Sequence, residues 1–536
     1  MRLLYIIILG TSLLISTAES KESCKWNDEI PCVYINKRIT NSNTLGDKVS
    51  PTVKITKSEI EKYKLIDLSK VLTYIQGVDV TQAGSTGQQG SVFLRGTNSN
   101  HTLVLLNGIP ISDYSTPTGA FDIGQDFMFN VQQIDVYKGS AGAHWGADAV
   151  GGVINFRTTV DYENKLSVSG SGNNKTLSGN YFTNIDGFDI SVSGGSHESK
   201  NVSALAGADE KDAVDNKTLG VNISKWYNLL HFRSSLFTRN TFADMDGHNV
   251  SIQEGKWSDN TFYAFQTGVD YKKTSLTFHT HEYDRDYDNA HYESKNYTLQ
   301  GAFQTETYGY GFDYKHNESL SSQHHNLGYF ANLSYNIFSY HHRIDEEHDT
   351  YKLGFFKELS EGLSLSGSTS TGYKDKTTWA DIEYSDSQEL TLGYNNFTTT
   401  VFKNDISDLN TEGIEFAYGV KDFKVFASHL NSKKNDTVSL RRPNWNLGFM
   451  HNQNFDNNFS LTTNYKYKGK HLDVHNGNWS SIPMSETHML DLNIGYNYYG
   501  FDIGFSINNL LDEKIQAPHG FNQDGREITL GFNRSF

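Results

Sequence analysis

From about residue 162 to the C-terminus, the sequence consists of segments of about eight to twelve residues in which apolar side chains alternate with small or polar ones. Such a period of two residues is typical of a β-strand, whose successive side chains point to opposite faces. An apolar face opposite a small, polar face predicts a transmembrane β-barrel, in which one face contacts lipid and the other a hydrated lumen. The alternative is a soluble all-β protein with a dry core. Two of the segments place on one face Leu327, Tyr329, Ala331, Leu333 and Tyr335, and Leu490, Leu492, Ile494, Tyr496 and Tyr498.

The N-terminal sequence favours the membrane alternative, because it is typical of an exported chain. Residues 1–20 combine the positive charge of Arg2 with an apolar stretch from Leu3 to Ile15. That stretch is shorter than the ~20 residues of a membrane-spanning helix. Ala18 and Ser20 are small residues placed for cleavage before Lys21. We therefore expect a cleaved signal peptide rather than an uncleaved anchor.

The composition excludes several other classes of protein. The mean hydropathy of −0.55 excludes a bundle of transmembrane helices, and 31 Tyr with 32 Phe argue against a disordered chain. A net charge of −16 argues against a nucleic-acid partner, which would require a basic surface. No G-x-S-x-G, H-E-x-x-H or P-loop sequence is present, so we expect a protein that is not an enzyme.

The two cysteines, Cys24 and Cys32, are too few for a zinc finger or an iron–sulfur cluster. They are either free thiols or a local disulfide, and export to an oxidising compartment favours the disulfide.

Residues 48–160 have a different pattern, that of a compact mixed α/β domain. Ser58 is placed to cap a first helix, and a second helix with apolar residues three and four apart begins at Leu68 and ends at Gly77. We therefore predict four regions: a signal peptide (1–20), an N-terminal segment (21–47), this α/β domain (48–160) and the barrel (161–536). The strands predicted for the α/β domain are Val78–Val80, Ser91–Leu94, Leu103–Leu106, Ile134–Tyr137 and Val153–Phe156.

Two stretches of this domain, LRGTNSNHTLVLLNGIPI and IDVYKGSAGAHWGADAVGGVINF, resemble the plug domain of TonB-dependent outer-membrane receptors. TEGIEF and INNLLDEKI resemble barrel sequences of the same family. Within it, DVTQAGSTGQQGSVFLRGTNSNHTLVLLNGI, FKNDISDL, SLRRPNWNL and DGREITL are most similar to cobalamin receptors. The resemblance implies a monomeric, lipid-embedded 22-strand barrel with the plug in its lumen, in a Gram-negative outer membrane. It also implies import powered through TonB by the proton gradient of the inner membrane.

The chain length tests this architecture. Dividing the 376 residues from 161 to 536 among 22 strands leaves about 17 residues for each strand and its connection. A spanning strand needs ~9–11 of them, which predicts short external loops. A barrel of fewer strands is the alternative, but a plug of about 110 residues does not fit inside a narrow barrel. The middle barrel sequences typical of cobalamin and haem receptors are absent, which also indicates trimmed ligand-contacting loops.

The TonB box is expected as an extended segment soon after the signal peptide, able to add a strand to TonB. Residues 29–39, EIPCVYINKRI, have this position and contain β-branched and aromatic residues. We predict Cys32, Val33, Tyr34 and Ile35 as its centre, against the alternative of a disordered tail. A disulfide between Cys32 and Cys24 would hinder it.

The resemblance also implies roles for individual plug residues. In the L-R-G-T sequence, Arg95 and Gly96 are expected to be structural, with the buried arginine paired to carboxylates of the barrel wall. Gly151 and Gly152 are expected to permit tight turns.

Two plug loops, residues 85–91 and 112–118, are expected by resemblance to face outward and contact the ligand, although they could equally be exposed turns without a role. Their amide, carboxylate and ring groups suit a corrinoid, and the loops lack the Arg and Lys cluster that an anionic ferric siderophore would favour. A siderophore, haem or another scarce cofactor is the alternative ligand, and a passive pore or adhesin is the alternative function. The predicted ligand-binding residues are Ser85, Gln88, Gln89, Ser91, Ser112, Asp113 and Tyr114.

Acidic residues early in the barrel form two clusters in sequence, and clustered carboxylates are the ligands that Ca²⁺ prefers. Cobalamin receptors order their outer loops with calcium held by aspartates of corresponding strands. The resemblance therefore implies a calcium site at Asp212, Asp215, Asp244 and Asp246, against the alternative of ordinary solvated loops.

Overall fold

The computed structural model describes residues 49, 52–200, 202–208, 210–246, 256–319, 322–346, 348–376, 381–455, 458–476 and 478–536. The predicted signal peptide, the two cysteines and the predicted TonB box lie outside these residues. In the described part of the chain, no helix is long and apolar enough to cross a membrane.

The first described part of the chain is a mixed α/β domain around a five-stranded sheet. The strand order of this sheet is β1-β6-β7-β4-β5, and β4 and β7 pair in parallel. Strands β2 and β3 form a separate antiparallel pair. The elements are β1 (Thr52–Thr56), α1 (Lys57–Lys62), α2 (Leu68–Thr73), β2 (Val78–Gln82), β3 (Gly90–Leu94), β4 (Thr102–Leu106), β5 (Ile109–Pro110), β6 (Gln133–Lys138), α3 (Gly142–Trp145) and β7 (Gly152–Arg157).

Helix α1 begins differently from the prediction. Its N-cap is Thr56 and not Ser58, because the Glu59 amide donates to Thr56 Oγ1 at 3.4 Å while the Thr56 amide donates to Glu59 Oε2 at 3.1 Å. This reciprocal arrangement is a capping box. Asp67 caps α2, and Gly77 follows that helix with φ +68°. The five predicted strands are present, whereas β1 and β5 were not predicted.

The remaining strands form a closed antiparallel barrel whose seam is the pairing of β32 with β8. The wall has 22 strands; β25 is a two-residue addition beside β24, and β28 pairs with β29 in a separate hairpin. The strands are β8 (Lys165–Gly170), β9 (Asn174–Ile185), β10 (Phe188–Lys200), β11 (Ala213–Tyr227), β12 (Leu230–Met245), β13 (Lys256–Tyr271), β14 (Thr274–Tyr287), β15 (Ala290–Gln304), β16 (Tyr308–Ser319), β17 (Ser322–Tyr335), β18 (Phe338–Asp345), β19 (His348–Ser360), β20 (Leu363–Lys374), β21 (Glu383–Tyr394), β22 (Phe397–Ile406), β23 (Leu409–Val420), β24 (Phe423–Lys434), β25 (Thr437–Val438), β26 (Trp445–Asn454), β27 (Phe459–Lys468), β28 (His471–Val474), β29 (Ser481–Met484), β30 (Thr487–Tyr498), β31 (Phe501–Asn508) and β32 (Glu527–Ser535).

The alternation in sequence corresponds to two different faces of the wall. On β17, Tyr335 is 73% exposed on the outer face, whereas Asn332, which faces inward, is 7% exposed. The last strand follows the same rule, with Ile528, Leu530 and Phe532 exposed. Outward apolar and inward polar residues are those of a lipid-embedded barrel. The predicted fold class, a 22-strand barrel with an N-terminal α/β domain, is confirmed.

The α/β domain lies in the lumen. Its apolar core, which includes Leu68 and Ile134, is continuous with the inward-facing barrel residues Phe262, Phe426 and Met450. Because the plug and the wall share one core, the plug is held by apolar packing as well as by polar contacts.

The two ends of the barrel differ. At the turn end, which includes Phe536, tight turns join the strands, as at Asp186–Gly187, where both residues have positive φ. At the opposite end, the loop end, connections vary from the two-residue turns 288–289 and 407–408 to the longer 509–526. Short loops on a 22-strand barrel agree with the prediction from chain length.

Candidate functional site

A buried charge cluster joins the plug to the barrel wall. Arg95, only 1% exposed, donates from Nε to Glu415 Oε1 at 3.0 Å and from Nη1 to Glu389 Oε2 at 3.0 Å. Lys138 Nζ donates to Glu415 Oε2 at 2.7 Å. The guanidinium carbon of Arg95 also lies 4.5 Å from the centre of the Phe402 ring. Two plug cations therefore face two wall carboxylates in a dry region. Removing either the cations or the carboxylates would leave the opposite charge buried without a partner, which destabilises the fold.

Local backbone geometry makes this cluster possible. Arg95 follows β3 with φ +48°, and its amide donates to Gly77 O at 2.7 Å. A Cβ on Gly77 would lie 1.9 Å from Glu415 Oε1, so only glycine leaves room for the carboxylate. The chain thus turns through Gly77 and Arg95 to bring the guanidinium against β21 and β23.

The glycines predicted to be structural lie in close contacts of the plug. A Cβ on Gly151 would lie 2.3 Å from Thr97 Oγ1, and one on Gly152, whose φ is +153°, would lie 2.4 Å from Tyr137 O. Gly96 has φ +76° and offers its carbonyl to the wall. A side chain at any of these three positions would therefore clash with a neighbouring atom or strain the backbone.

Sequence reasoning missed Arg442, in the loop before β26. Its Nε donates to Gly96 O at 3.2 Å, and its Nη2 donates to Thr97 O at 3.0 Å and to Asn98 Oδ1 at 2.8 Å. The guanidinium carbon also lies 4.0 Å from the centre of the Phe93 ring. Arg442 is therefore a second plug–wall contact, and the S-L-R-R-P sequence around it was a usable signal.

The first predicted ligand loop, residues 85–91, lies at the loop end but is largely covered. Ser85 is 2% exposed and Gln88 is 1% exposed, and Gln88 Nε2 donates to Asp244 O at 2.6 Å. Ser91 is half-buried in β3, whereas Gln89 is exposed. Of the four predicted residues in this loop, only Gln89 presents its side chain freely to the solution.

The second predicted ligand loop, residues 112–118, is more open. Ser112 and Asp113 are buried, and Asp113 Oδ1 accepts hydrogen bonds from the Ser115 amide at 2.9 Å and hydroxyl at 2.6 Å. Arg285 Nη1 lies 3.5 Å from Asp113 Oδ2 and neutralises this carboxylate. Residues 114–120 are all half-exposed, and burial raises the pKa of Tyr114 well above its usual value. Tyr114 is therefore half-exposed as a residue, whereas its hydroxyl is buried and stays protonated.

The predicted calcium ligands are only partly brought together. Asp212 Oδ2 accepts from the Ala204 amide at 2.5 Å, and Asp246 Oδ2 accepts from the Leu205 amide at 2.7 Å. Burial, together with the carboxylate of Asp246, raises the pKa of Asp212 to about 7. The two carboxylates therefore lie close together and hold a short loop segment.

The other two acidic residues have different neighbours. Asp244 Oδ2 accepts from the Ala213 amide at 3.1 Å, whereas Asp215 lies on the outer face of β11 and accepts from Lys217 Nζ at 2.8 Å. Among the described residues, no group of three or more His, Cys, Asp or Glu side chains is arranged to hold a metal ion. Calcium binding stays a prediction, and Asp215 is separated from the other three.

Comparison with known proteins identifies the α/β domain. Residues 45–153 match the family model described as the TonB-dependent receptor plug domain. This match covers the three helices, Arg95 and the sheet as far as the start of β7, but not the barrel.

Solved structures extend the comparison to the whole described architecture. The ferric enterobactin receptor PfeA from Pseudomonas aeruginosa, a mutant in complex with enterobactin, has a TM-score of 0.75 at 16% identity and covers 90% of this chain and 99% of that one. The siderophore receptor PirA from Acinetobacter baumannii has a TM-score of 0.76 at 14% identity and covers 94% and 100%. The closed form of the ferric-catecholate import receptor Fiu from E. coli K12 has a TM-score of 0.74 at 12% identity and covers 91% and 97%.

Identities this low establish the fold and not the ligand. By name, the three structures are receptors for ferric enterobactin, for a siderophore and for ferric catecholates, and the expected likeness to cobalamin receptors receives no support from them. The chain has the plug-and-barrel fold of a TonB-dependent outer-membrane receptor, with that family's plug domain at residues 45–153.

Proposed function

We propose that this protein imports a scarce ligand across a Gram-negative outer membrane and takes its energy from TonB. The observation that carries the proposal is the plug itself, which shares its core with the wall and is tied to it by Arg95 and Arg442. A lumen filled in this way blocks passive flow, so transport needs work on the plug. That requirement disfavours a passive pore.

The position of helix α1 supports the direction of transport. Lys62 Nζ lies 2.6 Å from Asp422 Oδ1, in the turn that joins β23 to β24. Helix α1, near the start of the plug, therefore lies at the turn end of the barrel. The candidate TonB box precedes α1 in the chain. The turn end would therefore face the periplasm and TonB, and the loop end would face the exterior.

The chemistry of the loop end favours a ligand without strong negative charge. Residues 85–91 and 112–118 contain no Lys or Arg, and Arg285, which lies beside the second loop, is paired with Asp113. The groups on offer are the Gln89 amide and the Tyr114 ring, which suit the amide rim and flat face of a corrinoid. A corrinoid is therefore our first candidate.

A ferric siderophore is the second candidate, and the solved structures favour it. PfeA, PirA and Fiu are named for siderophore or ferric-catecholate reception, and they share this architecture across at least 90% of the chain. Against it stands the absence of cationic side chains in the two plug loops.

Direct binding to the purified receptor tests both candidates. We expect cyanocobalamin to bind and ferric enterobactin not to bind, and Q89A combined with Y114A to weaken cyanocobalamin binding by about 1–3 kcal/mol. K403A, on the outer wall, is the matched control and should leave affinity unchanged. Binding of ferric enterobactin alone would overturn the corrinoid proposal and leave the importer intact. Passive solute flux through the reconstituted wild-type protein would overturn the importer.

A further inference from the structure

The outer face of the wall contains a cavity of about 560 Å³ where strands β18 to β22 lie side by side. We call this cavity the wall groove. Its lining is mainly apolar, and four of the lining side chains are among the exposed apolar residues of the outer face. The apolar row that borders it and the glycine in that row are Phe338, Phe355, Gly367, Leu390 and Val401, with Leu353 one row nearer the loop end.

A single glycine interrupts a row of bulky side chains and so creates the wall groove. The five residues of the row are directly opposed from strand to strand and therefore lie on one face. Gly367 has no side chain, and the ring of Phe355 leans into the gap, since a Cβ on Gly367 would lie 2.9 Å from Phe355 Cε1. The next outward residue of β20 is Thr369, which is short. The gap therefore continues along β20 towards the loop end.

The wall groove lies at the depth of the membrane hydrocarbon. Gly367 and Thr369 are the fifth and seventh of the 12 residues of β20, about halfway between the turn end and the loop end. At the same depth on the neighbouring strands, Leu353 is 46% exposed and Leu390 is 44% exposed on the outer face. The groove is thus continuous with the lipid-facing surface, and what meets it is an acyl chain or a segment of another membrane protein.

The width of the wall groove distinguishes between these two occupants. Its sides are β19 and β21, which are two strand spacings of about 4.8 Å apart, and their side chains narrow the space further. A helix with its side chains is about 10–12 Å across and cannot enter. The flat wall of a second barrel cannot enter either. A single acyl chain can, and the volume is within the range of about 300–1,000 Å³ that is usual for small-molecule sites.

Polar groups mark the loop-end side of the wall groove. Gln388 and Lys403 are directly opposed, one outward row beyond Leu390 and Val401. Lys403 Nζ lies 2.6 Å from Asp405 Oδ2, so this cation is already neutralised. The mouth therefore offers a lipid headgroup an amide and a closed ion pair, and binding must come from apolar contact with the chain.

Dispersion contact is the driving force at this depth. Surrounding lipid is as apolar as the groove, so no hydrophobic transfer favours binding. The side chains along an unfilled depression lose the contacts that neighbouring atoms provide elsewhere, and a flexible chain restores them. The chain that fits is one that can lie along β20 from the loop end.

We propose that the wall groove is a binding site for one acyl chain of a lipid in the leaflet at the loop end of the barrel. The chain enters past Gln388 and lies over Thr369, between Leu353 and Leu390. The proposal goes beyond the proposed function and depends neither on the imported ligand nor on TonB. Its failure would leave the importer untouched.

Photo-crosslinking in vesicles tests the site. The wild-type receptor is reconstituted into dimyristoyl phosphatidylcholine with a trace of the same lipid carrying a diazirine in the middle of one chain. Crosslinked peptides are then quantified by mass spectrometry. A bound chain keeps its reactive carbon beside the same strands, whereas the chains of surrounding lipid are spread over many positions. We therefore expect β19–β21 to be labelled about fivefold or more above β12–β14, per outward residue.

Variants that fill the groove supply the controls. T369L fills it from the floor and should lower the labelling of β19–β21 to that of β12–β14. T280L makes the same change on the outer face of β14, where Thr280 alternates with the buried His279 and His281, and should leave the labelling unchanged. V401F narrows the groove from one side and carries the same expectation as T369L, so the test does not depend on the folding of one variant.

Folding of each variant is checked by the heat-dependent gel shift of the barrel. Equal labelling of the two parts of the wall in the wild-type receptor would overturn the proposal. Wild-type labelling of both T369L and V401F would overturn it as well. A groove occupied by a second copy would exclude the probe and give a dimer in the vesicles, which would also overturn it.

Discussion

At the scale of single residues, Arg95 shows how strongly the plug depends on paired charge. R95A would leave Glu389 and Glu415 buried with only lysines nearby, of which Lys138 is in hydrogen-bond contact and Lys352 lies 3.7 Å away. Removing one partner of a buried charge cluster costs about 3–5 kcal/mol. We expect a lower melting temperature and solute leakage through reconstituted protein. K403A, which breaks an exposed ion pair on the outer wall, should change neither the melting temperature nor the leakage. An R95A protein that leaks no solute and melts at the wild-type temperature would contradict this account.

The acidic residues give a second prediction at this scale. If Ca²⁺ binds at the loop end, D212N should abolish the rise in melting temperature that calcium causes, because Asp212 and Asp246 share one site. D215N is the matched control and should leave that rise unchanged, because Asp215 faces outward beside Lys217. If calcium changes neither the melting temperature nor the ligand affinity of the wild-type receptor, these loops are ordinary solvated loops that do not bind calcium.

The same residues show what sequence can and cannot give. A buried role for Arg95 was foreseeable from its sequence context, but its partners were not, because alternation fixes which face a residue lies on and not its register against the plug. The outward position of Asp215 was foreseeable, since it alternates on β11 with the buried Val214 and Asn216. The calcium grouping, taken from the resemblance alone, ignored that alternation.

At the scale of elements, α1 is attached to the barrel rim on two sides. Lys57 Nζ lies 2.6 Å from Asp161 Oδ2, before β8, and Lys62 Nζ lies 2.6 Å from Asp422 Oδ1, before β24. Single exposed pairs contribute little, but two on one short helix restrict how it can tilt. We expect K62E to speed proteolytic release of the plug and the charge swap K62E/D422K to restore it. Equal protease sensitivity of the single and double variants would contradict a role for this pair.

Element prediction succeeded where one physical signal dominated. The barrel strands follow a long, regular alternation, and the plug strands are continuous apolar runs between glycine-rich turns. Helix α1 is capped by Thr56 because the capping box that Thr56 forms with Glu59 satisfies two backbone donors, whereas Ser58 lies inside the first turn. Strand β1 was missed because it is short, half-exposed and at the edge of its sheet.

At the scale of the whole molecule, the plug inside the barrel could be predicted from length and pattern, but the pairing of residues 203–206 with residues 517–524 above the first plug loop could not. Its two segments are far apart in sequence and are joined mainly through backbone groups, which every residue except proline carries. No pattern of side chains in the sequence predicts such a contact. The burial of Ser85 and Gln88 therefore became visible only in the folded chain, and it changed which predicted residues are open to a ligand.

Transport as a whole depends on the N-terminal segment, where the last prediction lies. We predict that Val33, in the candidate TonB box, belongs to a strand that TonB pairs with through backbone hydrogen bonds. V33P removes a backbone donor and fixes φ, so it should abolish such pairing without touching the loop end. Uptake should then collapse while the purified receptor binds its ligand with unchanged affinity.

V33I is the matched control for V33P, since it keeps both the β-branched side chain and the backbone donor, and it should import at the wild-type rate. Uptake by V33P at the wild-type rate would place the TonB contact elsewhere in the chain. Loss of binding as well as uptake would indicate damage to the plug and not to coupling. Only loss of uptake with retained binding separates the site that recognises the ligand from the segment that delivers the energy.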